Sequence, residues 1–353
     1  MSNAVASKSA PENSAAAVTS ARTDQAMAWF AGRVRWSWPE IALWVAALAI
    51  AFLFPSRALL FNEIAILALF ALSLDLVLGY AGIVSLGHGA FFGLGAYVAG
   101  LLAKAGAGAA PLSDPTFGLV AAALFCAGVG YVTSFLVLRG ADLTRLMVTL
   151  GVALIVGELA NRMAWLTGGA DGLQGVMPAK ILGLFEFDLY GRNAYLYSLS
   201  VLFVLFVCAR KIIHSPYGIS LRAIKGNVLR ADAIGIPVNR RLNGVYTLGA
   251  AYAGVAGALL AQTTSFVSLD VLEFHRSADV MLIVVFGGVG TLYGAIVGAA
   301  AFKIMYDLLA AATPQYWQFW LGLVLVVLVL FVRGGILGLL SNVQARLRSG
   351  GAK

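Results

Sequence analysis

The sequence predicts an all-α fold: a polytopic membrane helical bundle with about ten membrane-crossing segments, including shortened glycine-rich helices. Three observations predict it. The 353 residues are 61% hydrophobic and only 11% charged, where a water-soluble domain carries roughly a quarter charged residues. The apolar runs are long and do not alternate, which excludes a barrel, and only helices or closed barrels satisfy their backbone groups in hydrocarbon. One polar stretch, His214 to Arg241, breaks the pattern with five basic residues against a single acid, Asp232, which marks an internal loop on the cytoplasmic side. The net charge of +8 comes from cations at membrane flanks, where they set orientation, so it does not point to nucleic acid.

Taken in order, residues 1–38 are rich in Ala and Ser, carry Arg33 and Arg35 near the first span, and lack an apolar block that ends in a cleavage site. They read as a disordered cytoplasmic tail. The membrane domain occupies 39–338, and 339–353 form a cytoplasmic C-terminal tail. With roughly 20 apolar residues per crossing, spans fall at 39–54, 58–78, 81–103, 117–138, 146–164, 194–213, 241–261 and 316–333. Ala278 to Ala311 is too long for one span and too short for two ordinary ones. Charge parity resolves this: the Gln262–Arg276 loop lies outside, and the tail with Arg333, Arg346, Arg348 and Lys353 lies inside. The segment therefore crosses twice, as a hairpin of shortened helices. The same reckoning places Arg139 and Arg145 inside and the 165–193 loop outside, with both termini cytoplasmic and Arg57 alone on the wrong side. The 165–193 loop contains Gly168, Gly169 and Gly172 and is either a connector or a docking face. Cys126 and Cys208, in separate apolar segments, are expected to be reduced, buried thiols.

Glycine concentrates in LGYAGIVSLGHGAFFGLGAYV from Leu78 and in FGGVGTLYGAIVG from Phe286. Helix packing explains most of these residues, because glycine lets helices approach closely; Gly290, Gly294 and Gly298 recur every four residues along one face. The competing reading is a pair of broken helices that line a solute path. Ser85 and His88 favour it in the first segment, where a hydroxyl and an imidazole suit a polar cavity, and Gly82, Ser85, Gly87, His88 and Gly89 become the candidate path residues. A buried His88 bonded to a carbonyl is the plainer alternative. Glu158 with Arg162 and Lys303 with Asp307 have the four-residue spacing of helical ion pairs. Glu63 and Asp75 have no evident partner; Glu63 lies near a membrane end, within reach of water.

Within the basic loop, Ser215 before Pro216 is a helix start, and Gly235 with Pro237 a stop. Leu221, Ile224, Val228 and Ala231 share one stripe at the 3.6-residue period, with Lys225 and Asp232 at its borders, while Arg222 and Arg230 point elsewhere. Gly226 is expected to bend or divide the helix. A solvated basic loop is one reading; a short helix that docks in another protein's groove is the preferred one.

LGYAGIVSLGHGAFFGLGAYVAG, SPYGISLRAIKGNVLRADAIGI and FGGVGTLYGAIVGA, in that order, resemble the LivM-type permease subunits of branched-chain amino acid ABC importers, over roughly residues 58–338. The resemblance implies a coupling loop at 214–240 that meets an ATPase subunit, with Ser220, Arg222, Ala223, Ile224, Arg230, Ala231 and Gly235 forming or shaping the contact. The chain departs from the family at Gly226 and Asn227, where charged residues such as Arg and Glu are usual. The implied partners are a second permease subunit in a heterodimer, two ATP-binding cassette subunits, a periplasmic solute-binding protein and the lipid bilayer of a bacterial inner membrane. Branched-chain or related amino acids are the implied cargo, with urea or short amides as the alternative. The chain has no G-x-x-x-x-G-K-[ST] phosphate cradle, so ATP hydrolysis belongs to separate subunits. No catalytic constellation, metal cluster or cofactor motif stands out. A secondary transporter coupled to an ion gradient, with Glu63 and Asp75 as coupling carboxylates, is the rival from another class.

Overall fold

The computed structural model describes residues 38–106, 113–140, 142–180, 191–331 and 334–339. Residues 1–37 of the expected N-terminal tail, almost all of the C-terminal tail, residues 181–190 of the outer loop, and Arg333 lie outside them, and Trp38, expected to end the tail, begins the first helix. Helices occupy all ten expected segments: α1 Trp38–Leu53, α2 Ala58–Leu74, α3 His88–Ala105, α4 Pro115–Val137 and α5 Asp142–Arg162. A short α6, Ala164–Thr167, precedes α7 Arg192–Ile213. The basic loop holds α8 Pro216–Gly226 and α9 Val228–Ala233, and α10 Val238–Thr264, α11 Phe274–Gly287, α12 Leu292–Ala312 and α13 Trp317–Phe331 follow. Among the described residues, six helical segments, those containing α2, α4, α5, α7, α10 and α12, are long and apolar enough to cross a membrane by length and composition. Together they make this an all-α polytopic membrane bundle.

Two expected spans are redrawn. The span expected at 81–103 is helical only from His88, because residues 82–87 form an extended break. The hairpin does not consist of two shortened helices: α11 has 14 residues, but α12 has 21. Room comes from an earlier start, at Phe274 in the outer loop, and from a tight turn, Gly288–Thr291, between the helices.

The centre is built on α10, which packs against α4, α3 and α2. Between helices already surrounded by hydrocarbon, the attraction is close van der Waals contact. Small residues supply it here: a Cβ added at Gly257 would overlap the Phe92 carbonyl on α3, and one at Gly95 the Gly254 backbone. The outward sides of α1, α4, α5 and α13 keep large apolar groups exposed, among them Leu124, Val132, Ile155 and Phe319. Cys126 is buried and donates to the Phe91 carbonyl at 3.3 Å, but Cys208 is exposed on α7, contrary to expectation, because it lies on that helix's outward side.

Loops expected on one side of the membrane do meet. Leu173 and Val267, from the 165–193 and 262–276 loops, form an antiparallel bridge with N–H to O distances of 2.7 and 3.2 Å, and the Ala179 N–H donates to the Ser113 carbonyl at 3.0 Å. At the opposite end, α8, the turn after α2 and the Gly288–Thr291 turn come together.

Candidate functional site

The basic loop forms two helices, not one. The chain enters α8 through Ser215, whose backbone carbonyl accepts from the Ile219 N–H at 3.2 Å, while its hydroxyl donates to the Ile212 carbonyl instead of capping α8. Pro216 then takes the first helical position, where a missing N–H costs nothing. α8 ends at Gly226, and Asn227 is fully extended (φ −164°); its Oδ1 accepts from the Arg230 N–H at 3.0 Å and caps α9. Gly235, at φ +85°, closes α9, with the Ile236 N–H reaching back to the Ala231 carbonyl. Tyr217 fastens the two ends of the loop: its hydroxyl donates to the Arg241 carbonyl at 2.8 Å, and the Arg241 guanidinium lies 5.1 Å from its ring. Burial pushes the Tyr217 hydroxyl above its ordinary pKa, against the opposing charge of Arg241.

The expected contact residues divide by exposure. Arg222, Arg230 and Gly235 are exposed and Ala223 is partly so, whereas Ser220, Ile224 and Ala231 are buried against the chain's own body. The expected docking stripe is thus mostly an inward face: Leu221, Ile224 and Ala231 are buried, and of its members only Val228 is exposed. The extended residue at 227 resets the helical phase, so a stripe drawn through Gly226 and Asn227 as one helix mixes two faces. Sequence reasoning missed the outward face, where Leu229 is 81% and Ile234 74% exposed. A leucine beside Arg230 and an isoleucine just past the end of the same short helix were the available signal.

The five candidate path residues sit in the break before α3 and at its first turn. Gly82 takes φ +75°, a conformation other residues adopt poorly. Ser85 and His88 are buried, with His88 Nδ1 and the Gly87 N–H each 3.3 Å from Ser85 Oγ. The His88 ring stands edge-on to Phe91 and Tyr246. The Leu86 N–H donates to Thr149 Oγ1 on α5 at 3.2 Å, and the Gly89 N–H donates to Ser277 Oγ on α11 at 2.8 Å. A Cβ at Gly87 would overlap the Thr149 carbonyl. The break is therefore held by three neighbouring helices, α5, α10 and α11. A cavity of about 640 Å³ lies elsewhere, between α5 and residues 269–275, with Glu158, Asn161, Glu273 and His275 in its lining.

The ionisable groups find partners that spacing alone did not show. Glu158 and Arg162 pair at 2.7 Å as expected. Lys303 pairs with Asp307 at 3.1 Å but also reaches across to Glu63 at 2.6 Å. Asp75 Oδ1 accepts from the Gly290 N–H at 2.6 Å, and Lys225 Nζ donates to the Gly79 carbonyl at 2.6 Å. The two glycine-rich segments of the sequence therefore meet each other, beside the basic loop.

Among known proteins, the family described as "Branched-chain amino acid transport system / permease component" matches residues 56–331. The high-affinity branched-chain amino acid transport system permease protein LivM of Escherichia coli K12 is 30% identical, covering 80% of this chain and 70% of its own, as is LivM of Salmonella typhimurium. LivH of Escherichia coli K12, the permease protein of the same name class, is 24% identical over 77% of this chain and 91% of its own. No solved structure matches the chain.

Proposed function

The chain belongs to the family of branched-chain amino acid transport permease components, and from that membership we propose that it is the membrane-spanning subunit of an ATP-driven importer of branched-chain or related amino acids. The outward face of the basic loop carries the reading. Leu229, Ile234 and Val228 stand exposed in the same loop as the exposed Arg222 and Arg230, at the bundle end that charge assigns to the cytoplasm. Apolar groups rimmed by cations on a short helix suit a groove on a soluble partner. In this reading two ATP-binding cassette subunits dock there, a second permease subunit completes the membrane domain, and a periplasmic binding protein delivers the amino acid. Arg222, Ala223, Arg230 and Gly235 join Leu229 and Ile234 in the contact, while Ser220, Ile224 and Ala231 hold the element in place.

Gly82, Ser85, Gly87, His88 and Gly89 then serve as a braced joint beside the solute path: Ser85 Oγ holds the Gly87 N–H and His88 Nδ1 within the segment, and the Leu86 and Gly89 N–H groups are tied to α5 and α11. The carboxylates that would favour an ion-coupled carrier are engaged as well, Glu63 by Lys303 and Asp75 by Gly290.

Reconstitution with the partner subunits tests the proposal. Leucine uptake into proteoliposomes should require the ATPases and ATP. Leu229→Glu should insert normally yet lose both ATPase co-purification and uptake. Uptake that survives in vesicles without any ATPase subunit overturns the ATP-driven reading.

A further inference from the structure

Lys225 borders the inward stripe of α8, and in the sequence it looks like a blemish. Its ammonium instead closes on the carbonyl of Gly79, which lies in the π-helical turn Asp75–Tyr80 that ends α2. A π turn leaves i to i+4 carbonyls without their usual partners and is a recurrent feature of functional helix segments. Here a cation from another element fills one such place. The neighbouring Arg222 guanidinium lies 5.3 Å from the Tyr80 ring, so α8 grips the same turn twice, one helical turn apart.

The far side of the π turn grips the α11–α12 connection, also twice. Asp75, 0% exposed, accepts from the Gly290 N–H through Oδ1, while its Oδ2 is buried with no hydrogen-bond partner among the described residues. The Tyr80 hydroxyl lies against the Leu292 backbone at the start of α12. Only the Asp75 carboxylate shares the crossing with backbone: a Cβ on Gly79 would meet Asp75 Oδ1 and the Gly290 backbone. Gly290 itself adopts φ +81°, so both sides of the contact depend on glycine. The charge of Lys225 also faces Asp75 across the turn.

We propose that Lys225 is a positioning residue, the link through which movement of α8 reaches the Gly288–Thr291 turn and hence the α11–α12 pair, by way of the π turn of α2. This rests on the reading of α8 and α9 as the ATPase contact. The Lys225–Gly79 bond, the buried Asp75–Gly290 bond and the close backbone approach of Gly79 to Gly290 join the three elements so that they move as one piece. α8, the π turn and the α11–α12 turn therefore shift together while the Lys225 bond is made, and α8 slips against them once it is lost.

The test uses the full complex in proteoliposomes and reads leucine transported per ATP hydrolysed, beside the amount of assembled complex. Lys225→Met should assemble and hydrolyse ATP, with transport per ATP lower by about tenfold or more, since a charge-assisted bond to a carbonyl is removed. Lys225→Arg, which keeps a charged donor, should restore most of the ratio. Lys211→Met, an exposed cation outside the relay, should change nothing. If Lys225→Met does not accumulate, Tyr80→Phe gives the same readout by cutting the Leu292 link while keeping the ring under Arg222. An unchanged ratio in the variant that accumulates overturns the relay, as does an uptake loss proportional to lost assembly. Failure of the docking reading looks different: Leu229→Glu would then keep both its ATPases and its uptake.

Discussion

At the residue scale, partners across helices decide what a charged group does. Lys303 is 17% exposed and lies between two carboxylates, Glu63 from α2 and Asp307 from its own helix. Spacing revealed Asp307, which is four residues away, but could not reveal Glu63, which is 240 positions distant and became a neighbour only when α2 packed on α12. Arg210 is a similar case: near the end of α7, just before the basic loop, it is 5% exposed and ion-paired with Glu40 of α1. Removing the cation between two acids leaves like charges facing each other, so Lys303→Met should lower the melting temperature in detergent by about 2–4 °C, with Lys303→Arg close to wild type. Equal melting temperatures for the Met and Arg variants would show that the pair contributes nothing.

At the element scale, the basic loop shows what a local signal can and cannot specify. Its start at Pro216 and stop at Gly235 follow from backbone chemistry and were legible, as was a break near Gly226. The direction of its faces was not legible, because one extended residue, Asn227, rotates α9 relative to α8. Gly226 itself has open space where a side chain would go and does not adopt positive φ. The division therefore comes from the cap at Asn227, and Gly226→Ala should keep uptake while raising stability by roughly 0.5–1 kcal/mol, the cost of glycine in a helix. Loss of uptake in an assembled Gly226→Ala complex would instead place the hinge at Gly226. Gly218 behaves oppositely, since a Cβ there overlaps the Ile213 carbonyl.

For the whole molecule, charge parity sorted the loops into two ends before any contact was known, and the contacts agree with that sorting. Residues 113–115, 173–179 and 267 cluster at one end; Gly79, Lys225 and Gly290 cluster at the other. With Cys208 replaced by Ser, Gln174→Cys and Leu229→Cys, both at exposed positions, should react with a membrane-impermeant maleimide from opposite faces of the vesicle. Reaction of both from one face would break the ten-crossing order. Composition and run length alone determined that this chain is an all-α membrane bundle, because hydrocarbon leaves a backbone with no other partner than itself. Glycine clusters marked segments that either pack closely or break, and cation placement sorted the loops by side. What only the tertiary structure decided is which groups meet: that Lys225 reaches Gly79, that Asp75 receives Gly290, and that Leu229 rather than Leu221 faces outward. Those outcomes depend on helix rotation and crossing, and a single residue of changed backbone geometry redirects a whole helix face without leaving a mark on composition or spacing.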